Sequence, residues 1–187
     1  MSCPYLVSPG STLQVSWCQM SIGSEGILNS ITAYSLPRHR DDPIVVRSAE
    51  DLTSAVDELV DAGNEYCNYM SVFVTDPAGV HAVYLGIGIH AANGSGSLLL
   101  QGEGGEYYTQ GSDTSRAAVS YFDFGNERIF PGNSQIELGK LKRALIEFYD
   151  GHFVRPSCVK WQVWVGLEKD VDDVSDLPTS LADPWSS

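Results

Sequence analysis

His39 stands two and three residues from a pair of carboxylates, Asp41 and Asp42, in the stretch PRHRDDP. An imidazole beside two acids is a grouping that acid–base chemistry or a divalent metal can use. His81 and His90 add two more imidazoles, and Cys67 is a thiol that could pair with His81 as a nucleophile. None of these residues has the spacing that such chemistry repeats. No HExxH or HxH occurs, no CxxC occurs among the four cysteines, and GxSxG is absent. The glycine-rich run LGIGIHAANGSGS lacks the GK[ST] ending of a phosphate loop, and no helical pattern follows it. It reads as a hairpin turn. The histidines read as polar surface or half-buried residues. The residue types therefore point to no catalytic centre, no metal site and no cofactor. A small hydrolase built on the histidines and carboxylates is the alternative.

A second grouping carries a different chemistry. Glu103, Glu106, Tyr107, Tyr108, Asp113, Tyr121, Asp123 and Glu127 fall within 25 residues. Tyrosine rings give contact area at low entropy cost, and carboxylates meet arginine or lysine. Glu103, Glu106, Tyr107, Tyr108, Asp113, Asp123 and Glu127 are thus candidate residues for gripping a basic protein surface. A solvated sheet edge with core tyrosines explains the same composition. The charge of the whole chain points the same way as the first reading. With 11 basic and 24 acidic residues it carries a formal charge of −13. Direct contact with nucleic acid or an anionic membrane is disfavoured, whereas a basic protein partner is favoured.

These residues need elements to hold them. With 43% hydrophobic residues and 187 in all, the chain suits one domain with appended segments. Residues 1–29, with scattered Pro, Gly and Ser, are expected to be a partly ordered extension, although LQVSW is a weak strand candidate. Residues 30–166 are expected to form the domain. Residues 167–187 hold six acids and one base and read as a mobile acidic tail. There is no apolar run of 18 residues and no basic residue before Arg38, so the expected compartment is the cytoplasm, with free thiols and with Cys67 and Cys158 buried.

Within 30–166, Ile31–Tyr34 and Ile44–Val46 read as strands around a loop at 37–43. Ser48 with Asp51 predicts a capped helix start, with Leu52, Val56, Leu59 and Val60 on one stripe and Gly63 at the end. YMSVFVTD, VHAVYLGIGIH, SLLLQ, EYYTQ and AVSYFDF then alternate with turns about ten residues apart, which predicts an antiparallel meander. Ser134 with Glu137 predicts a second capping box. Leu138, Leu141, Ala144, Leu145 and Phe148 form the stripe that follows it, and Gly151 the stop. The closing stretch RPSCVKWQVWV alternates, so Val159, Trp161, Val163 and Val165 share one face and Lys160, Gln162 and Trp164 the other. The fold class is α+β, a curved antiparallel sheet with two principal helices on it.

The run GNERIFPGNSQIELGKLKRALIEFYDGHFVRPSCVKWQ, residues 125–162, resembles the C-terminal half of the Imm-one family of bacterial immunity proteins from polymorphic toxin systems. The matching pieces are Pro131-Gly132 before a helix, the helix over about 135–150, and the signature Arg155, Pro156, Val159 and Trp161. The order strand, strand, helix, meander extends the likeness back to about residue 30. The resemblance implies the same α+β fold and a non-enzymatic antitoxin that binds a cognate toxin one to one. Members are often paired with nucleic-acid deaminases and sometimes with nucleases; a cytosine-DNA deaminase is the first expectation here. Blockade of the toxin's active site or nucleic-acid groove would follow. The signature reads as structural: Val159, Trp161 and Val163 are expected on Leu141, Leu145 and Phe148, and Arg155 at backbone carbonyls or a carboxylate. Trp164 is open between covering by the tail and contact with a partner. A general adaptor with a free sheet edge is the other binding-protein alternative.

Overall fold

The computed structural model describes residues 30–164 except 103, 115 and 116. The expected extension, the acidic tail, Cys3, Cys18, Val165 and Glu103 lie outside the described residues. The chain runs β1 (Ser30–Tyr34), β2 (Ile44–Val45), α1 (Ala49–Ala62), β3 (Tyr69–Thr75), β4 (His81–His90), β5 (Ser95–Gly102), β6 (Gly105–Gln110), β7 (Val119–Asp123), β8 (Asn126–Phe130), β9 (Ile136–Glu137), α2 (Leu138–Asp150) and β10 (Lys160–Gln162). The main sheet is open and antiparallel, in the order β10-β6-β5-β4-β3-β1-β2, with β9 added to one end of β5. The expected α+β class with two helices on a curved sheet is what the chain forms.

Strand alternation sorts the side chains onto two faces. Met70, Val72 and Val74 on β3 stand opposite Ile87, Leu85 and Val83 on β4, and Leu98 and Leu100 continue the layer on β5. α1 contributes Leu52, Ala55, Val56 and Leu59, and α2 contributes Leu141, Ala144, Leu145 and Phe148, to the same core. An ion pair between Lys142 and Asp57 joins the helices at their outer edge. The opposite, outer face of β3 to β6 carries Tyr69, Ser71, Phe73, Tyr84, Leu99, Glu106 and Tyr108, and β7–β8 packs on part of it.

α1 starts as its sequence predicts: the Ser48 hydroxyl accepts the Asp51 N–H at 3.1 Å. The Asp51 carboxylate reaches one residue further than a capping box requires and accepts the Arg47 N–H at 2.7 Å. Gly63 ends the helix in the left-handed region at φ +53°.

Four expectations are corrected. The second capping box does not form. α2 begins at Leu138, whose N–H donates to the Gly94 carbonyl, and Glu137 precedes it as part of β9, paired with Ser95. The Ser134 hydroxyl is buried and bonded to Ser97 at 2.8 Å, so a tertiary partner replaces the local one. The meander also ends at β6. AVSYFDF pairs with β8 as a separate two-stranded hairpin, and the last strand, β10, takes the place beside β6. Finally, β10 leaves the sheet after Gln162, so Val163 is 69% exposed rather than packed on α2. Cys67 is buried as expected, but Cys158 is only half-buried.

Candidate functional site

The outer face is shaped by two glycines in β4. A Cβ on Gly86 would stand 1.8 Å from the Tyr69 hydroxyl oxygen, and one on Gly88 would stand 2.3 Å from the Tyr121 ring. The glycine-rich stretch does form a turn, at Ala91–Asn93, but its strand glycines admit aromatic rings flat against the sheet. Tyr69, Tyr108, Tyr121 and Phe130 fill this space as a second core, with Phe130 edge-on to each of the three tyrosines at 5.1 to 6.0 Å. Their hydroxyls find partners. Tyr121 bonds Ser97 at 2.8 Å, Tyr69 bonds Tyr84 at 2.9 Å, and Tyr108 donates to Glu106 at 2.6 Å. Burial raises the pKa of all three phenols, and the Glu106 bond adds to the shift at Tyr108. Asn68 fastens the hairpin to the main sheet: its N–H donates to the Phe122 carbonyl, and its side-chain oxygen accepts the Phe122 N–H at 2.7 Å.

The hairpin covers only part of the outer face. Beside it lies an open cleft with a cavity volume of about 990 Å³. One side is the sheet, with Tyr34, Phe73, Tyr84 and Tyr108; the other is the hairpin, with Asp123, Phe124, Glu127 and Arg128. Phe73 meets Tyr34 and Tyr84 at ring distances of 5.9 and 5.2 Å. Arg128 donates to Asp123 Oδ2 at 2.9 Å and sits 5.9 Å from the Tyr69 ring centre. Phe124, at the hairpin tip, holds φ +50°. This left-handed backbone is unfavourable for an aromatic residue and is concentrated at functional positions.

The structure brings four of the seven candidate binding residues together: Glu106, Tyr108, Asp123 and Glu127 all line the cleft. Tyr107 points to the opposite face, where its ring lies under Arg155 at 4.2 Å. Asp113 stands in the exposed loop after β6, away from the cleft, and Glu103 lies outside the described residues. The sequence reasoning passed over Tyr34, Phe73, Tyr84, Phe124 and Arg128. The signal for Phe73 and Tyr84 was present: Phe73 falls on the face opposite Val72 and Val74, and its hairpin partner is Tyr84.

The signature residues brace the fold. The Glu147 carboxylate on α2 accepts the N–H groups of Ser157 at 2.6 Å and Cys158 at 3.0 Å. The Cys158 thiol and the Ser157 groups that donate to it hold the Glu147 carboxyl down at about 2, while burial and then the carboxylate push the thiol up to about 11. The Trp161 indole N–H donates to the Pro156 carbonyl at 2.8 Å, and Val159 is buried against the helix-side core. Arg155 covers Tyr107, and among the described residues it neither caps carbonyls nor pairs with an acid. Trp164 packs edge-on against Tyr108 at 5.5 Å, on the outer face.

The histidines serve the fold too. His39 is buried, and its Nδ1 accepts the Leu36 N–H at 3.1 Å; burial, then Arg38, lowers its pKa. His81 bonds Thr75 at 2.9 Å, and His90 bonds Gln135 at 2.6 Å. The Cys67 thiol donates to the Ser35 carbonyl at 2.8 Å. Among the described residues no three His, Cys, Asp or Glu side chains gather as metal ligands, and no helix is long and apolar enough to cross a membrane.

A family model described as Immunity protein Imm1 matches residues 40–163, about two thirds of the chain and all of the cleft except Tyr34. A comparison with curated proteins found no match.

Proposed function

The chain belongs to the Imm1 family of immunity proteins, and from that premise we propose that it captures a cognate toxin through the outer-face cleft. The family match carries the reading. The cleft supports it physically, as a concave surface rich in exposed and half-buried aromatic rings whose lining includes three carboxylates and one arginine. Such a surface suits a basic partner, with rings supplying the buried anchor and acids the orientation.

The toxin is a nucleic-acid-modifying enzyme, and a cytosine-DNA deaminase of a bacterial polymorphic toxin system is the first choice. An enzyme that holds phosphates needs a basic groove. A chain with a formal charge of −13 is steered toward that groove and away from nucleic acid itself. Binding one to one, in the cytoplasm, it occludes the groove or the active-site pocket, and performs no catalysis.

The test is co-expression. The toxin domain encoded beside this gene is induced in a sensitive host with and without the chain, and genomic uracil is measured. Rescue with suppressed uracil, together with nanomolar binding of the purified pair, is the expected result. Rescue without any change in base composition would move the target to another toxin chemistry. Absence of both rescue and binding would overturn the reading.

A further inference from the structure

We propose that the cleft receives one arginine side chain of the toxin; this rests on the toxin-capture reading above. Four observations point to that chemistry. The lining holds Glu106, Asp123 and Glu127 against one arginine, Arg128, and one imidazole, His81. Arg128 is already committed to Asp123 Oδ2, at 2.9 Å. Among the described residues neither Glu106 nor Glu127 has a basic partner; one oxygen of Glu106 accepts the Tyr108 hydroxyl and one of Glu127 the Ser120 hydroxyl, each at 2.6 Å. Asp123 itself is only 8% exposed, yet its Oδ1 has no hydrogen-bond partner among the described residues. A buried carboxylate oxygen left unpaired is costly, and a donor that reaches it as the side chains around it shift removes that cost.

The rings select among donors. Phe73 and Tyr84, 5.2 Å apart, line the sheet side of the cleft, and Phe124 stands on the hairpin side. A guanidinium is planar, weakly hydrated and stacks on aromatic faces, whereas an ammonium keeps its water more strongly. The acceptors also lie on different walls, Glu106 on β6 and Asp123 on the hairpin, with Glu127 at the rim, one step out of phase with Arg128. A fork with five N–H donors serves several of them at once, and a single ammonium serves fewer.

The proposal is tested on the intact chain by NMR titration with N-acetyl-arginine amide, N-acetyl-lysine amide and the neutral isostere N-acetyl-citrulline amide. The arginine probe is expected to shift the amides of Ser71, Phe73, Tyr84 and Asp123 saturably, the lysine probe more weakly, and citrulline not at all. The double variant Glu106→Gln, Glu127→Gln should weaken the arginine probe about tenfold or more, and toxin binding by a similar factor with a flatter salt dependence. No saturable shift in the cleft, or equal binding of all three probes, overturns the proposal.

A third variant separates this proposal from the reading beneath it. Ala82 is exposed and lines the cleft, so Ala82→Trp blocks the cleft without entering either core. Loss of toxin binding by Ala82→Trp, with no probe binding to the native chain, would keep the docking face and discard the arginine. Undiminished toxin binding by Ala82→Trp, with the probe lost, would discard the docking face and the proposal with it.

Discussion

The two faces of the main sheet are made of different chemistry. The helix side is aliphatic and sealed: Val72, Ile87, Leu98, Leu141, Leu145 and Phe148 are fully buried. The outer side is aromatic and hydroxylated, and only part of it is covered. There Tyr69 of the sheet and Tyr121 of the hairpin are fully buried between the two, while Tyr84, Glu106 and Phe124 face an open cleft. The difference teaches where stability and recognition are kept. Aliphatic groups give the sealed face its burial energy and leave nothing for a partner to read. Rings with polar tips tolerate being half wet, so the same side chains can support a hairpin at one end and meet a partner at the other.

This contrast is broken most severely from the sealed side. Phe148→Ala should destabilise the fold by about 3 to 5 kcal/mol, because the ring is completely enclosed. The fraction that remains folded should bind toxin with unchanged affinity, read by calorimetry on the pair; a matching loss of affinity would mean that the helix side takes part in docking. Trp161→Ala should cost less, about 2 to 3 kcal/mol, since the indole is half-buried and loses one hydrogen bond to Pro156. Urea unfolding measures this directly, and a near-neutral value would contradict the bracing role given to the signature.

Phe124→Gly acts in the other direction. Relief of the left-handed backbone at the hairpin tip should leave stability unchanged or raise it by up to about 1 kcal/mol, while toxin affinity falls. A variant that lost stability and kept its affinity would show that Phe124 serves the hairpin alone. The smallest effect is expected at Glu147. Its carboxyl is held at about 2, below the ordinary carboxylate range. A depressed folded-state pKa contributes stability that is present above the unfolded value of about 4.3 and is lost as pH falls toward 2. Glu147→Gln should therefore flatten the acid limb of the melting temperature between about pH 4 and 2; an unchanged limb would mean that the Glu147 bonds to Ser157 and Cys158 do not stabilise the fold.

The sealed face was the more legible of the two in the sequence. Its residues alternate with period two on the strands and recur at three and four on the helices, and that pattern predicts both helices and the strands from β1 to β6. The open face was read only in part. Glu106, Tyr108, Asp123 and Glu127 were singled out by composition, and tertiary packing brings them together across the hairpin. Tyr107 is adjacent to Glu106 in sequence but one step out of phase on the strand, which turns it to the other side of the sheet. Period two also cannot say which sheet a strand joins. β7 reads like the strands before it, yet Asn68 and Gly88 hold it against the outer face. Local rules failed where a distant partner was stronger. The Ser134 hydroxyl is taken by Ser97 and never caps α2, and Arg155 finds the Tyr107 ring 48 residues earlier in the chain.

Hydrogen exchange of the chain alone and in complex with its toxin tests the central claim most directly. The account predicts protection on binding across β6 and the β7–β8 hairpin, with the solvent-facing turns of α1 and α2 unchanged. Protection on α1 and α2 with none around the cleft would contradict it.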